Sequence, residues 1–410
     1  MKKSLILGAA LAALSTFASV VPAQAAPPGT GWDDNPDVVV GGGSDTTYLV
    51  SQRLETLYNG TPGCTVDTGG TSATKGKCLP AGQTTPTNGN FDHDVFVSAT
   101  PTGSGAGVNA LLPTGVQYNP AIDYARSSRG PSGTEAADLT FWGYARDGIA
   151  VISFGNRAGV SLTKQDLIDI YTCTKTDWSQ FGLPAGPIIP WDMNASSGTR
   201  ASFITTYLGN PTLGTCVRKL ESGVAPFEND VKPLLADKGP DHVAGTADDD
   251  ENNYIWWISY GDWKTYPYTA NGFYDGNTAG TSISSSLVTV AGSLPSNSTI
   301  FNSTYAIMRT LYQVTRETDA DCNSVPGTDG ICNNGTSPTV FGNTTGKGGA
   351  VRGFTEFLCR TSNTQQLINP VTGNGYRTEI ISALNAEGFQ QLSSLVAGLR
   401  TGGYACSVSN

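Results

Sequence analysis

Three times along this chain an apolar, strand-like segment runs into a turn crowded with hydroxyl side chains, and two of those turns open a helix. Val38-Val39-Val40 leads through Gly41-Gly42-Gly43 into Ser44-Asp45-Thr46-Thr47, after which Val50, Leu54, Leu57 and Tyr58 recur at helical spacing. AIDYARSSRGPSG gives a short strand ending in Arg126-Ser127-Ser128-Arg129, with Gly130 and Pro131 forcing a turn. GPIIPWD, a further strand, feeds ASSGTRASFITTYLG, where Phe203, Ile204, Tyr207 and Leu208 mark a helix and Ser196 or Ser197 is its N-cap. Alternation of strands and helices predicts α/β domains with mainly parallel sheets. One such stretch alone is an ordinary capped helix. Three of them, if they converge, offer many N–H and O–H donors to one anion, helped by the positive ends of the helices.

The remaining segments continue the alternation. Phe96 to Ser98 is a short strand, GSGAGVNALL starts a helix, and DGIAVISF, Asp147 to Phe154, is a buried strand. SLTKQDLIDIYTC is a helix with Thr163 and Asp166 in capping-box positions and Leu167, Ile170 and Tyr171 on its inner face. YIWWISYGDW supplies an aromatic strand, while AIMRTLYQVTRE, GFTEFL and QQLSSLVAGL read as helices. A chain of 410 residues exceeds what one core usually serves, so two domains are expected.

The first residues place the protein outside the cytoplasm. Lys2 and Lys3 precede an apolar run to Val21, and Ala23-Gln24-Ala25 fits a small-residue cleavage site, so residues 1–25 read as a signal peptide. No cysteine near the cut offers a lipid attachment point, and no later apolar run reaches the roughly 18 residues of a membrane span. A secreted or periplasmic location is expected. The eight cysteines, Cys64, Cys78, Cys173, Cys216, Cys322, Cys332, Cys359 and Cys406, agree, because an even count in an exported chain favours disulfides. Sequential pairing is the simplest assignment, with Cys64 and Cys78 stapling a Gly/Thr/Pro-rich loop over about residues 60–90.

Charge and composition remove several functions. A net charge of −10 argues against nucleic acid as a partner. Two histidines, His93 and His242, rule out a multi-histidine metal centre, and no G-x-S-x-G elbow accompanies them for serine hydrolysis. Gly342 to Gly348 (GNTTGKG) has the wrong glycine spacing for a Walker phosphate loop, with no Ser or Thr after Lys347. No metal or cofactor is expected. Asp237, Asp241, Asp248, Asp249 and Asp250 form either a solvated turn or a calcium loop, and their spacing is not that of an EF-hand. Each charge-assisted hydrogen bond to an anion contributes about 1.5–3 kcal/mol before desolvation and ordering costs. Micromolar binding needs about 8 kcal/mol net. A handful of hydroxyl and amide donors suffices, and they hold an anion without breaking bonds.

Taken in order, GGGSDTTYLV, IDYARSSR, LTKQDLIDIYTCTKTDWSQF, SSGTRASFITTYL and YIWWISYGDW resemble the exported phosphate-binding proteins that feed ABC phosphate importers. The resemblance implies a two-lobed type II periplasmic binding protein fold, each lobe a mainly parallel sheet flanked by helices, with the ligand cleft between them. One lobe would comprise residues 36–146 and 272–410, the other residues 147–271. It implies a monomer that presents phosphate, or a similar small oxyanion, to a membrane permease. By motif, Ser44, Asp45 and Thr46 would bind from the first turn, Ser127, Ser128 and Arg129 from the second, and Ser197, Gly198, Thr199 and Arg200 from the third. Two positions depart from the family. Ser128 stands where an aspartate usually accepts the phosphate proton and rejects sulfate, and Met193 stands where the family places an arginine. Arg200, Arg126 or Arg129 is left to substitute for the arginine, and Asp45 to accept a proton. The departures keep sulfate or a phosphorylated small molecule open as ligands. An exported phosphatase on the same pocket, and a secreted protein without transport duty, are the alternatives.

Overall fold

The computed structural model describes residues 38–59, 95–100, 102–112, 116–154, 157, 159–220, 222–228, 253–265, 285–316, 351, 354–355, 357–359, 372–392 and 407–409. The signal-peptide region, the loop of Cys64 and Cys78, both histidines, the acidic stretch 237–251, Lys347 and its glycines, Cys322, Cys332 and Cys406 lie outside them.

β1 (Val38–Gly43) enters α1 (Tyr48–Asn59), β2 (Val95–Ser98) enters α2 (Ser104–Leu111), and β3 (Tyr124–Ser127) precedes the long β4 (Leu139–Phe154). β5 (Ser161–Leu162) leads to α3 (Lys164–Tyr171), opened by the expected Thr163/Asp166 capping box. β6 (Ile189–Pro190) leads to α4 (Gly198–Arg200), which widens into a π-helix over Ala201–Tyr207. Ser197 is its N-cap, accepting the Arg200 N–H at 3.3 Å. β7 (Tyr254–Ser259) runs directly into α5 (Tyr260–Thr265). β8 (Ser285–Leu287), β9 (Thr289–Val290) and α6 (Asn297–Phe301) then precede β10 (Met308–Arg316). Last come α7 (Tyr376–Ala386), β11 (Gln390–Gln391) and β12 (Ser407–Ser409).

The main sheet runs β2-β1-β3-β10-β4-β7-β6. β1 pairs parallel with β2 and β3, and β6 parallel with β7. The other pairings of this sheet are antiparallel, while β5 and β9 pair in parallel in a separate two-stranded sheet, so the α/β fold is borne out and the mainly parallel pairing is corrected to a mixed one. The cause is β4. Its first part, Leu139 to Gly148, lies between β10 on one edge and β11 and β12 on the other. Its second part, Ile149 to Phe154, pairs with β7 and β8. β4 carries the chain from one half of the sheet to the other, and β10 brings it back alongside, with Met308 opposite Gly148 and Arg316 opposite Leu139. A strand that returns directly beside its outgoing partner must be antiparallel to it.

Three apolar clusters follow these halves. Ile149 to Phe154 share one with Trp178, Trp191, Trp256, Trp257 and Phe203, and Phe203 stacks on Trp257 at 4.6 Å. Val288, Val290, Ile300, Tyr305 and Ile307 belong to that same cluster. The first part of β4 serves two others on opposite faces, as the two-residue period of a strand requires. Trp142 and Tyr144 pack with Val50, Leu54 and Leu384, and Leu139 and Phe141 with Val108 and Leu111.

The expected helix in AIMRTLYQVTRE is β10 instead. Ile307, Leu311 and Val314 are spaced four and three apart, which imitates a helical stripe. In the fold Leu311 and Val314 enter clusters on opposite faces of the sheet, and both edges of the segment are hydrogen-bonded, to β3 and β4. That double pairing outweighs the local spacing. In QQLSSLVAGL, Gln390 and Gln391 likewise form a strand, with the part beyond Leu392 outside the described residues. Residues 351, 354–355 and 357–359, around GFTEFL, are helical as expected.

Cys173 and Cys216 are bonded across a separation of 43 residues, as sequential pairing expects, and Cys359 is also in a disulfide. The first bridge ties the end of α3 to the segment after the π-helix. Closing a loop of that length removes about 4 kcal/mol of chain entropy from the unfolded state. A Cys173→Ser/Cys216→Ser double variant should lose up to about that much unfolding free energy, read from denaturant titration monitored by tryptophan fluorescence.

Candidate functional site

The hydroxyl-rich turns meet where parallel strands end, the usual ligand position of open α/β sheets. The Ser44 N–H donates to the Arg126 carbonyl at 3.0 Å, which ties the first turn to the second. Ser104, at the start of α2, accepts the Ser128 N–H at 3.0 Å, and the two hydroxyls lie 3.1 Å apart. The third turn sits on α2: Gly105 N–H donates to the Ser196 carbonyl at 3.1 Å, and Ser196 Oγ to the Thr102 carbonyl at 3.0 Å. The contact is close enough to need glycine on both sides. A Cβ at Gly103, where φ is +90°, would fall 2.5 Å from the Ser196 carbonyl oxygen. One at Gly198 would fall 2.3 Å from Ser104 Oγ and 2.4 Å from Ser128 Oγ. With the turns so apposed, Thr46 Oγ1 stands 3.1 Å from Thr199 Oγ1 and 3.5 Å from Ser128 Oγ, all of them buried.

An arginine faces these hydroxyls from β10. Arg309 binds Asp147 through Nε at 2.9 Å and Nη2 at 2.7 Å, with both side chains almost fully buried. Its remaining N–H groups reach Thr199 Oγ1 from Nη1 at 2.6 Å and Thr46 Oγ1 from Nη2 at 3.3 Å. Glu228 completes the group. Its Oε1 accepts from the Thr46 hydroxyl and, at 2.7 Å, from the Thr199 hydroxyl, and its Oε2 accepts the Ser259 N–H at 3.2 Å. Asp262 is buried in the first turn of α5, and its N–H donates to Ser259 Oγ at 3.3 Å. Ser44 Oγ is buried and has no hydrogen-bond partner among the described residues.

Carboxyls therefore outnumber guanidinium here, and burial governs their titration. Burial, followed by repulsion from Glu228, raises Asp45 to about 7. Burial also raises Glu228, opposed by Arg309 and the Thr199 hydroxyl. Asp262 is pushed well above the carboxylate range by burial, Glu228 and Asp147. Among the described residues no three of the His, Cys, Asp and Glu side chains are grouped to hold a metal ion.

Of the residues expected from sequence, Thr46, Ser128, Gly198 and Thr199 come together, with Ser44 and Asp45 in the same turn as Thr46. Four others have their side chains committed elsewhere. Ser127 Oγ closes its own turn, donating to the Arg129 carbonyl at 2.8 Å. Arg129 forms a two-pronged pair with Glu135 at 2.8 Å on each prong. Ser197 caps α4 and donates to Met193 Sδ at 3.0 Å. Arg200 pairs with Asp192 at 2.8 and 3.3 Å. Arg126 is also engaged, donating to the Gly41 and Ala99 carbonyls and to Ser98 Oγ. The cation beside the threonines is Arg309, which the sequence reading missed together with Ser104, Asp147, Glu228 and Asp262. Nothing within its own segment marked Arg309, because its burial follows from the pairing of β10 beside β4, which local sequence does not report.

Residues 33–324 match the model of the PBP superfamily domain, and the chain belongs to that family. Among solved structures it is similar to a candidate phosphate ABC transporter substrate-binding protein with bound phosphate from Clostridium perfringens. The two are 18% identical over 87% of this chain and 100% of that one, with a TM-score of 0.50. It is also similar to an ABC-type phosphate transport receptor from Vibrio cholerae (18% identity, 69% of this chain and 88% of that one, TM-score 0.43). A third is PstS from Borrelia burgdorferi (16% identity, 87% and 99%, TM-score 0.42). No curated protein sequence matches significantly. The family match and the likeness to the Clostridium perfringens structure establish the type II periplasmic binding protein fold.

The raised Asp45 carboxyl gives stability a pH dependence. In the folded protein it holds its proton up to about pH 7, whereas the unfolded chain releases it near 3.8. The folded state binds more protons between those values, so Asp45's contribution is fully present below 3.8 and is lost as pH rises through 7. An Asp45→Asn variant should gain up to about 4 kcal/mol on wild type between pH 4 and pH 7.5, measured by denaturant unfolding in anion-free buffer.

Proposed function

We propose that this protein is an exported solute-binding protein that captures phosphate, or a similar small oxyanion, for an ABC-type permease. The observation that carries the reading is the meeting of Thr46, Ser128 and Thr199, from three turns remote in sequence, with the buried Arg309 guanidinium donating to two of them. Neutral hydroxyls and one guanidinium suit an anion that is held and released unchanged, so the protein is read as a receptor and not an enzyme. Arg309 takes the part for which Arg126, Arg129 and Arg200 were the expected substitutes. The bound phosphate in the Clostridium perfringens structure supports the ligand class.

In this reading the two lobes divide at Asp147, where β4 exchanges β10 for β7 and β8 as partners. The second lobe extends to about Ile307 and not only to Asn271, because Val288, Val290, Ile300 and Ile307 share the core of Ile149 to Phe154. The cradle then lies at the crossing between lobes. The signal-like leader supports a secreted or periplasmic location, and no described helix is long and apolar enough to cross a membrane.

Calorimetric titration of the mature protein, stripped of anion, tests the reading. One phosphate should bind per chain, and Thr199→Val, which deletes one hydroxyl at nearly constant volume, should weaken it about ten- to a hundredfold. Failure to bind phosphate or sulfate would overturn the proposal.

A further inference from the structure

The cradle's threonines have one hydroxyl proton each to give. Thr199 Oγ1 accepts from Arg309 Nη1 at 2.6 Å and donates to Glu228 Oε1 at 2.7 Å. Thr46 Oγ1 accepts from Arg309 Nη2 at 3.3 Å and donates to the same Glu228 oxygen. Both protons are spent on one carboxylate, whose second oxygen takes the Ser259 N–H at 3.2 Å. A carboxylate gathered by two hydroxyls and a backbone amide, beside a guanidinium, meets the same donors an oxyanion asks for. While Glu228 remains, neither threonine has a proton left for a ligand.

We infer that Glu228 is an internal competitor for the oxyanion cradle: its carboxylate takes up the Thr46 and Thr199 donors, and an oxyanion binds by displacing it. The inference rests on the oxyanion reading and adds how that site is regulated.

Charge makes the competition depend on protons. The groups facing Glu228 are Arg309 from β10, Asp147 from β4, Asp262 from α5 and Asp45 from the turn before α1. Arg126 acts on Asp45, and Glu387, after α7, acts on Asp262. Among the described residues Arg309 is the one cation directly beside Glu228, and Asp147 already pairs with it. An ionised Glu228 both holds the hydroxyls and repels an incoming anion. A protonated one is a weaker acceptor, since hydrogen bonds to an ionised acceptor are about twice as strong as neutral ones. Burial raises the Glu228 carboxyl, which favours the protonated form as pH falls. Oxyanion capture should therefore be favoured in acidic medium and release in alkaline medium, in excess of anything due to the ligand's own ionisation.

Phosphate is titrated calorimetrically into wild type, Glu228→Gln and Glu228→Ala at pH 6.0 and 8.5, with thermal melting to confirm that each protein is folded. The ratio of variant to wild-type affinity cancels the ionisation of phosphate. Both variants should bind about tenfold or more tightly than wild type at pH 8.5, with the gap closing toward pH 6.0 by at most about tenfold per pH unit. If one variant fails to fold, the other carries the comparison. A ratio near one at both pH values would overturn the inference, as would weaker binding by the folded variants, which would make Glu228 part of the bound anion's own shell. Folded wild type and variants that bind neither phosphate nor sulfate would instead sink the oxyanion reading, and the competitor with it.

Discussion

The buried pair of Arg309 and Asp147 is the contact on which the site depends. Asp147 lies at the point of β4 where the strand changes partners, and Arg309 lies one residue into the strand that returns beside it. Asp147 takes two of the guanidinium's donors and leaves others for Thr46 and Thr199. A lone guanidinium at this depth would be costly, and so would a lone carboxylate. Together they repay enough of the desolvation to persist, and removing either partner typically costs 3–5 kcal/mol. The pair's value here is placement: it fixes a cation beside two hydroxyls that arrive from opposite halves of the sheet.

The turns around it follow one design. A strand ends, a glycine or small residue lets the backbone approach, and a hydroxyl faces inward. Gly103 and Gly198 mark the closest approaches, where a single methyl group would collide with a serine oxygen or a carbonyl. Hydroxyls are suited to such crowding because each both accepts and donates, so Ser104, Ser128, Thr46 and Thr199 can stand within bonding distance of one another. The carboxyls set a limit on this arrangement. Asp45, Glu228 and Asp262 sit where burial works against their ionised forms.

Much of the fold was legible from the chain. The strand at Val38, the helix from Tyr48, the capping box of Thr163 and Asp166 and the Ser197 cap stand where the sequence places them, because each is decided by residues within four or five positions of one another. Part of the expected convergence was legible too, as Thr46, Ser128, Gly198 and Thr199 do come together. Four of the other expected side chains are committed to partners close in sequence. Arg129 and Arg200 looked available, yet each has a carboxylate within eight residues in sequence, Glu135 and Asp192, that claims it. β10 was misread because its apolar spacing suits a helix, and nothing within the segment reports that two strands will pair with it.

The amino-acid sequence by itself determined the local pieces: strands, caps, the glycine and hydroxyl turns, and an alternation that leads to an α/β sheet. These are short-range consequences of period, capping and backbone freedom. Only the tertiary structure decided which cation stands beside Thr46 and Thr199, which carboxylate accepts from their hydroxyls and which strands run antiparallel. Arg309 lies 110 positions from Thr199 and 263 from Thr46, and it meets them only because β10 returns beside β4. Pairings over such separations are settled by the burial of whole faces and the satisfaction of buried polar groups, and no local stretch of sequence contains either quantity.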